Sequence, residues 1–382
     1  MTSALGHIAL DARTATDHFP GIGRYVVNLA RAMAPLLSEG ERLILLRDPT
    51  QTFPWDLTAL AGEQIQVVDV PLSPFSLRQQ WAIPRLLHRL RADLYHTPYY
   101  LMPYWPGLPV VVTVYDLIPL LFPQGFSPGA RLLFRWTTAL AIRVASHVIV
   151  ISQATRHDLL AFYRLSPQKV TAIHLAADPG FHPLSHTQVE RVRRKHALPE
   201  EYVLYLGINK PHKNLVRLID AFSCTTRHHT LRFALVIAGA WDSRYLEPKE
   251  RMKALGLENA IRFLGPVPEE DLPALYAGAA LFVFPSLYEG FGLPVLEAMA
   301  CGVPVACSEI PSLLEVCGDA ALYFDPGDVE AIAEVLCSAM TNPDLRATLQ
   351  ERGLARAAQF SWEQTARETL DLYRGTRVRS IK

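Results

Sequence analysis

Glu289 and Glu297 stand eight positions apart in EGFGLPVLEAMACG, a segment that follows the apolar run LFVFPS. Carboxylates accept hydrogen bonds from hydroxyls in pairs, which is how a protein holds a sugar diol. Between the two acids, Gly290 and Gly292 let the backbone approach a ligand without a Cβ in the way. Pro294 suits the first turn of a helix, where its missing N–H costs nothing. The helix start then offers unpaired N–H groups and a partial positive charge, a combination that suits a phosphate. Phosphate and diols together describe a sugar nucleotide. A plainer reading stays open: Glu297 as a solvent-facing helix residue and Glu289 as an acid favouring the helix N-terminus. The spacing alone does not choose between them, although a glycine-rich loop after a buried strand is the context that anion binding requires.

Three further stretches carry chemistry. In GINKPHKNLVRLIDAF a strand ends in a loop, and Lys213 just before a helix could neutralise a diphosphate whose charge grows as it departs; a solvated loop lysine is the alternative. Lys210 and His212 are weaker candidates on the same loop. In FPGIGRYVVNL, Gly21, Gly23 and Arg24 form half of a dinucleotide fingerprint, with Val26 where the third glycine belongs. That makes a poor NAD signal, but a credible glycine loop opening a helix toward an anion or an acceptor. In PVVVTVYDLIPLLFP a buried strand ends at Tyr115 and Asp116. Asp116 could bind a sugar hydroxyl or cap a helix, the usual role for an aspartate in that place.

Short apolar runs must position these residues. HIALDA, RLILLRD, IQVVDVP, DLYHTP, PVVVTVYD, SHVIVIS and KVTAIHL read as strands in the first half, and EYVLYLG, FALVIAG, IRFLG, ALFVFPS, VPVACS and ALYFDP in the second. Amphipathic stretches between them, such as Ile22 to Leu37, Ser127 to Ala145, Asn214 to Thr226 and Asp328 to Met340, read as helices. This alternation predicts an α/β protein of parallel sheets wrapped by helices. The Pro-, Gly- and polar-rich passage from Asp178 to Glu201 divides the chain into Rossmann-like doubly wound domains at 1–180 and 181–360. A last amphipathic helix over 361–382, capped by Ser361, packs back onto the first domain. Ligands of such sheets bind at the carboxyl ends of strands, so the active site is expected in a cleft between the domains.

Composition narrows the partners. The 382 residues suit two domains of ordinary size, and 37 basic against 37 acidic residues leave no bulk positive field for nucleic acid. Residues 1–180 are mildly basic, 15 against 12, which is compatible with an anionic membrane surface. No basic start and long apolar core mark a secretory signal, and no apolar stretch is long enough to span a bilayer. The five cysteines form no CxxC pair and read as reduced thiols of a cytosolic protein. There is no DxD, HExxH or GxSxG, so neither metal chemistry nor a serine nucleophile is expected.

The run FVFPSLYEGFGLPVLEAMACGVPVACSEIPSLLEVCGDAALYFDPGD, together with GINKPHKNLVRLIDAF and GIGRYVVNL, closely resembles the family-4 retaining glycosyltransferases of GT-B fold, over essentially the whole chain. The resemblance implies transfer of a sugar from a nucleotide donor to a glycan or lipid-linked acceptor, with no obligatory metal or other cofactor. It implies that Glu289 contacts the donor sugar, Glu297 the ribose, Lys213 the diphosphate, and the backbone of Phe291, Gly292 and Leu293 the sugar and diphosphate. His212 stands where many members carry an arginine, and Val267 and Glu269 match the loop that contacts the base. Tyr115 replaces a histidine that commonly touches the donor sugar, which bears on which sugar is held. The TVYDLIPLLFP, GINKPHKN and SLYEGFGLP versions look most like mannosyltransferases of bacterial surface polysaccharides. GDP-mannose is therefore the expected donor, with UDP-glucose or another hexose nucleotide, or a non-catalytic sugar-nucleotide-binding role, as alternatives. The expected location is the cytoplasm, with peripheral contact at the inner membrane face.

Overall fold

The computed structural model describes residues 6–16, 19–51, 55–228 and 233–380, leaving aside the side chains of 226–228 and 377–380. Its strands are β1 His7–Asp11, β2 Arg42–Arg47, β3 Ile65–Asp69, β4 Ala92–Thr97, β5 Val110–Val114, β6 His147–Val150, β7 Val170–Ala172, β8 Tyr202–Leu206, β9 Ala234–Ala238, β10 Ile261–Gly265, β11 Leu281–Phe284, β12 Val305–Ser308 and β13 Ala321–Phe324. Each strand falls on one of the apolar runs read from the sequence, β4 beginning one residue ahead of DLYHTP. The helices are α1 Pro20–Met33, α2 Gln79–Arg89, α3 Ile118–Leu121, α4 Pro128–Val144, α5 Gln153–Tyr163, α6 His186–Lys195, α7 Leu215–His228, α8 Glu247–Ala254, α9 Leu272–Ala277, α10 Leu293–Ala300, α11 Pro311–Cys317, α12 Val329–Thr341, α13 Pro343–Ala357 and α14 Trp362–Ser380.

The chain forms two units, one of residues up to Leu175 together with those from Ser361 onward, the other of Ala176–Phe360. The division falls five residues before the boundary placed from composition. Unit 1 holds a seven-stranded sheet in the order β3-β2-β1-β4-β5-β6-β7, and unit 2 a six-stranded sheet in the order β10-β9-β8-β11-β12-β13. The strand pairings among the described residues are all parallel. Parallel strands are covered on both faces, which is why VVVTV and LFVF are apolar and buried along their whole length. In each sheet the order reverses between two neighbours, β1 and β4 in unit 1 and β8 and β11 in unit 2. The loops leaving those strands diverge and open a crevice at the carboxyl edge.

Unit 1 is closed by chain from both ends. Ser361 accepts a hydrogen bond from Gln364 N at 3.1 Å and caps α14, which packs along α1. Trp362, Ala366, Leu370 and Tyr373 are buried, and Arg374 reaches Glu41 Oε2 at 2.7 Å. The Tyr373 hydroxyl bonds His96 Nδ1 on β4, while His96 Nε2 lies 2.8 Å from Thr113 Oγ1 on β5.

Burial lowers the His96 pKa to about 3, with nearby Asp11 opposing the shift. The imidazole is therefore neutral in the folded chain but takes a proton in the unfolded chain below about pH 6.5. Its contribution is complete above that pH and is lost as pH falls toward 3, at about 1.4 kcal/mol per unit. Urea unfolding should show unit 1 losing about 2 kcal/mol from this group between pH 6.5 and 5. His96→Gln, although less stable at neutral pH, should have the shallower acid slope; an unchanged slope would count against a neutral buried imidazole.

Candidate functional site

The crevice of unit 2 is built by the loops after β8 and β11. The β8 loop ends in a 3₁₀ turn, Pro211–Lys213, followed by Asn214 in the left-handed region at φ 62°. From there Lys213 extends its ammonium to Glu289 Oε1 at 2.5 Å, with 15% and 11% of the two side chains exposed. The ammonium also lies 5.1 Å from the centroid of the Phe284 ring at the end of β11. Read from the chain alone these two residues have separate roles; the fold makes them one ion pair.

The two loops are fastened to each other beside that pair. Leu287 N donates to the His212 carbonyl at 2.8 Å. The Asn214 amide donates to the carbonyls of Pro285 at 3.1 Å and Pro326 at 2.7 Å, and its oxygen accepts from Arg217 at 2.9 Å. Asn209 fastens the next loop: its amide donates to the Asp242 and Tyr245 carbonyls at 2.9 and 2.6 Å, and its oxygen accepts from Asp242 N at 2.6 Å. Asn209 is 2% exposed and Asn214 5%. Neither residue stands out in the sequence, except that asparagine tolerates the left-handed backbone that Asn214 adopts.

Beyond Glu289 the chain turns into α10. Gly292 is its N-cap at φ 109°, with no side-chain cap. A Cβ there would lie 2.4 Å from Leu313 Cδ2, so both backbone and space demand glycine. Gly290 and Phe291 are buried and Leu293 half-buried. The α10 start carries no acidic residue in its first turn, so its positive end is not offset locally. Glu297, in the second turn, has no exposed surface and accepts a hydrogen bond from the Tyr276 hydroxyl at 3.0 Å. The solvent-facing alternative for Glu297 is thereby excluded, and the carboxylate sits inside unit 2. Val267 and Glu269 lie after β10, Glu269 opening the short turn Glu269–Asp271, and both are half-buried.

His212 sits on the same short turn as Lys213. It is 6% exposed, and burial, then the charges of Lys213 and Lys210, lowers its pKa to about 3. A neutral imidazole does not replace the cationic guanidinium of an arginine; what His212 gives the site is its carbonyl.

Unit 1 corrects the other expectations. Gly21, Gly23 and Arg24 lie inside α1, not in a loop ahead of it. A Cβ on Gly23 would fall 2.2 Å from the Trp55 ring, so that glycine serves helix packing. Tyr115 turns inward: its ring meets Tyr25 edge-on at 5.6 Å, and its buried hydroxyl has no hydrogen-bond partner among the described residues. Burial, with Tyr25 nearby, raises its phenol pKa well above the ordinary value. Its hydroxyl is therefore not displayed at the sheet edge as expected. Asp116 Oδ1 accepts from Ile118 N at 2.9 Å, an Asx turn ahead of α3, whose N-cap is Leu117 and not Asp116.

Sequence reading missed the polar centre of this unit. Arg13, 1% exposed, grips Asp11 through Nε at 2.8 Å and Nη2 at 2.6 Å, and reaches Leu72 O at 3.2 Å and Gln79 Oε1 at 3.1 Å. The Tyr95 hydroxyl also bonds Asp11. Burial alone would raise the Asp11 pKa, but the charge and hydrogen bonds of Arg13, with Tyr95, hold it below the ordinary carboxylate value. The spacing signal was present, an acid and a base two apart at the end of β1, but nothing local shows that both are buried.

Known proteins share this architecture. The model of "Glycosyl transferases group 1" matches residues 188–356 and that of "Glycosyltransferase Family 4" residues 20–181. O-antigen chain mannosyltransferase B of Escherichia coli is 32% identical over 373 residues, covering 93% of this chain and 96% of that protein. Serotype-specific mannosyltransferase WbdA of the same organism is 34% identical over 67% of this chain but only 32% of its own length. Among solved structures, sucrose-phosphate synthase from Thermosynechococcus elongatus aligns with TM-score 0.73 at 23% identity, over 97% of this chain and 98% of that one. HepE of Anabaena in complex with UDP and glucose aligns with TM-score 0.77 at 21% identity, over 96% and 99%. At these identities the two structures speak for the fold.

Asn214 separates backbone from side-chain effects. Asn214→Ala should cost unit 2 about 2–4 kcal/mol in urea unfolding, from two lost carbonyl partners and a strained left-handed residue. Asn214→Gly, which relieves the strain and keeps the hydrogen-bond loss, should recover about 1 kcal/mol of it. Equal stability of Asn214→Ala and the parent would show that this fastening is not needed.

Proposed function

The chain belongs to the group 1 and family 4 glycosyltransferases, and from that membership we propose that it moves mannose from GDP-mannose to a hydroxyl of a glycan or lipid-linked glycan, retaining the anomeric configuration. Its two doubly wound units are those of the GT-B fold. The observation that carries the donor assignment is the Lys213–Glu289 pair at the β8/β11 reversal of unit 2, beside the uncapped start of α10. The mannose assignment is supported by relatives named as mannosyltransferases, one of them matched over nearly its whole length. Their names also support a role in surface polysaccharide synthesis.

In this reading the ion pair is a holding arrangement. An arriving diphosphate competes for the Lys213 ammonium, and Glu289 is released to accept hydrogen bonds from hydroxyls of the hexose. The N–H groups at Gly292 and Leu293 receive a phosphate oxygen. Glu297 takes the ribose hydroxyls, exchanging its bond to Tyr276, and the loop of Val267 and Glu269 flanks the base. During transfer the bond from the anomeric carbon to the phosphate oxygen breaks while the acceptor oxygen bonds to that carbon from the same face. The acceptor's proton passes to the departing phosphate oxygen, whose growing charge is met by Lys213 and α10. No metal or other cofactor is part of the reading, because an ammonium and a helix start already face the diphosphate. Unit 1 is assigned the acceptor, with Arg24 in the second turn of α1 and Asp116 just after β5.

Thermal shift against a panel of nucleotide sugars should single out GDP-mannose, because a ligand that binds the native state raises its melting temperature. GDP release should then depend on an added acceptor. Lys213→Ala and Glu289→Ala should each lower turnover by about 10²–10³-fold while leaving a cooperative melt. Preference for UDP-glucose would replace the donor, and donor binding without acceptor-dependent release would make the chain a binding protein. Near-normal turnover in both variants would sink the site itself.

A further inference from the structure

Three aromatic rings meet at the carboxyl edge of the unit 1 sheet, each carried by a different loop. Phe19 follows β1, Phe75 follows β3 and Tyr99 follows β4. The ring centroids of Phe19 and Tyr99 lie 5.3 Å apart, those of Phe75 and Tyr99 6.2 Å, and those of Phe19 and Phe75 6.3 Å. Phe75 is 57% exposed, and Phe19 and Tyr99 are half-buried. One exposed ring is ordinary; three in contact, beside the strand-order reversal of β1 and β4, offer contact area to a ligand. The rings are also held in place. Arg13 donates to Leu72 O at 3.2 Å and to Gln79 Oε1 at 3.1 Å, and the Gln79 amide donates to the Pro74 carbonyl. Gln80 donates to Met102 O at 2.8 Å and accepts from Tyr104 N at 2.9 Å. The Phe75 loop is thus tied to the end of β1 on one side and to the β4 loop on the other, so binding has little left to order.

Polar groups identify the occupant. The Tyr99 hydroxyl donates to that of Tyr100 at 3.1 Å, and the two rings lie 4.3 Å apart. Burial, then Tyr100 and the Asp116 charge, raises the Tyr99 pKa; burial raises that of Tyr100 against its hydrogen bond with Tyr99, and Asp116 adds to the rise. The phenols therefore stay protonated, and the Asp116 carboxylate is near enough for its field to reach both. An aromatic face attracts the polarised C–H bonds on the apolar side of a sugar ring, while phenols and a carboxylate match the sugar's hydroxyls. A nucleotide or a lipid phosphate would be repelled by Asp116, and an acyl chain would strip water from the phenols without giving them partners. We propose that Phe19, Phe75 and Tyr99 form a platform on which a neutral pyranose of the acceptor stacks, with Tyr99, Tyr100 and Asp116 meeting its hydroxyls. This rests on the reading of unit 1 as the acceptor side and goes beyond it: the surface is named, and the group it contacts is a sugar ring, not the phosphate or chain of a lipid carrier.

Saturation-transfer NMR on the full chain tests it without any sugar nucleotide, so failure here would leave the donor site standing. Among the methyl pyranosides of mannose, glucose, galactose and N-acetylglucosamine, at least one should receive saturation at its ring C–H protons. Phe75→Ala should weaken that binding by about tenfold, Phe75→Trp should restore it, and neither should alter the thermal shift given by the donor. Tyr99→Phe, which keeps the ring and loses the hydroxyl, should weaken it by about threefold. Phe75 faces solvent, and unchanged melting curves of its variants would exclude misfolding. Equal binding by the parent and Phe75→Ala, or no transfer to any of the four pyranosides, would overturn the proposal. So would octyl mannoside, below its micelle concentration, receiving saturation on its chain but not its ring, which would give the platform to a lipid chain. Displacement of the bound pyranoside by GDP would overturn it in favour of a nucleotide.

Discussion

The organisation of unit 2 turns on one ion pair. Lys213 and Glu289 come from loops 76 residues apart in sequence, and only the adjacency of β8 and β11 brings those loops together. A pair this sheltered is costly to desolvate unless its geometry is held. Here the holding is done by backbone: Leu287 on the His212 carbonyl, and Asn214 bridging the carbonyls of Pro285 and Pro326. The same fastening sets where the chain enters α10, so the ammonium, the carboxylate and the helix start share one reference frame. Sites built this way keep their geometry because the supporting residues have no freedom of their own.

Unit 1 has a comparable polar centre with a different character. Asp11 and Arg13 are buried together, Tyr95 completes the carboxylate's partners, and Arg13 also spans to Leu72 and Gln79. The network ties the end of β1 to the segment leading into α2. Breaking such a pair on one side leaves a buried charge uncompensated, a far larger effect than its net stabilising worth. It therefore acts mainly to specify how the β1 loop is set.

The strands were legible because apolar runs of four to six residues between turn-rich segments have few other fates in an α/β chain. Glu289, Glu297, Gly292 and Lys213 were legible because each sits at a strand end or a helix start, where type and spacing carry chemical meaning. What stayed hidden depends on contacts distant in sequence. Nothing near His212 reveals that it is buried and neutral, nor that Tyr115 faces Tyr25 and not the sheet edge. Gly23 looked like part of a ligand loop because a glycine that admits a ligand and one that admits Trp55 are identical in sequence. Asn209 and Asn214 were passed over for the same reason: their partners lie on other loops.

The return of α14 to unit 1 has a consequence for how the chain comes to be folded. Unit 2 is one continuous segment, whereas unit 1 needs both the residues before Ala176 and those after Phe360. During synthesis the first segment of unit 1 and nearly all of unit 2 emerge from the ribosome before Trp362 and Tyr373 do. The seats of those residues, beside Tyr25 and His96, stand open for that interval. The half translated first is thus the half finished last, its early form carrying an exposed apolar groove along α1 of the sort that chaperones and proteases survey.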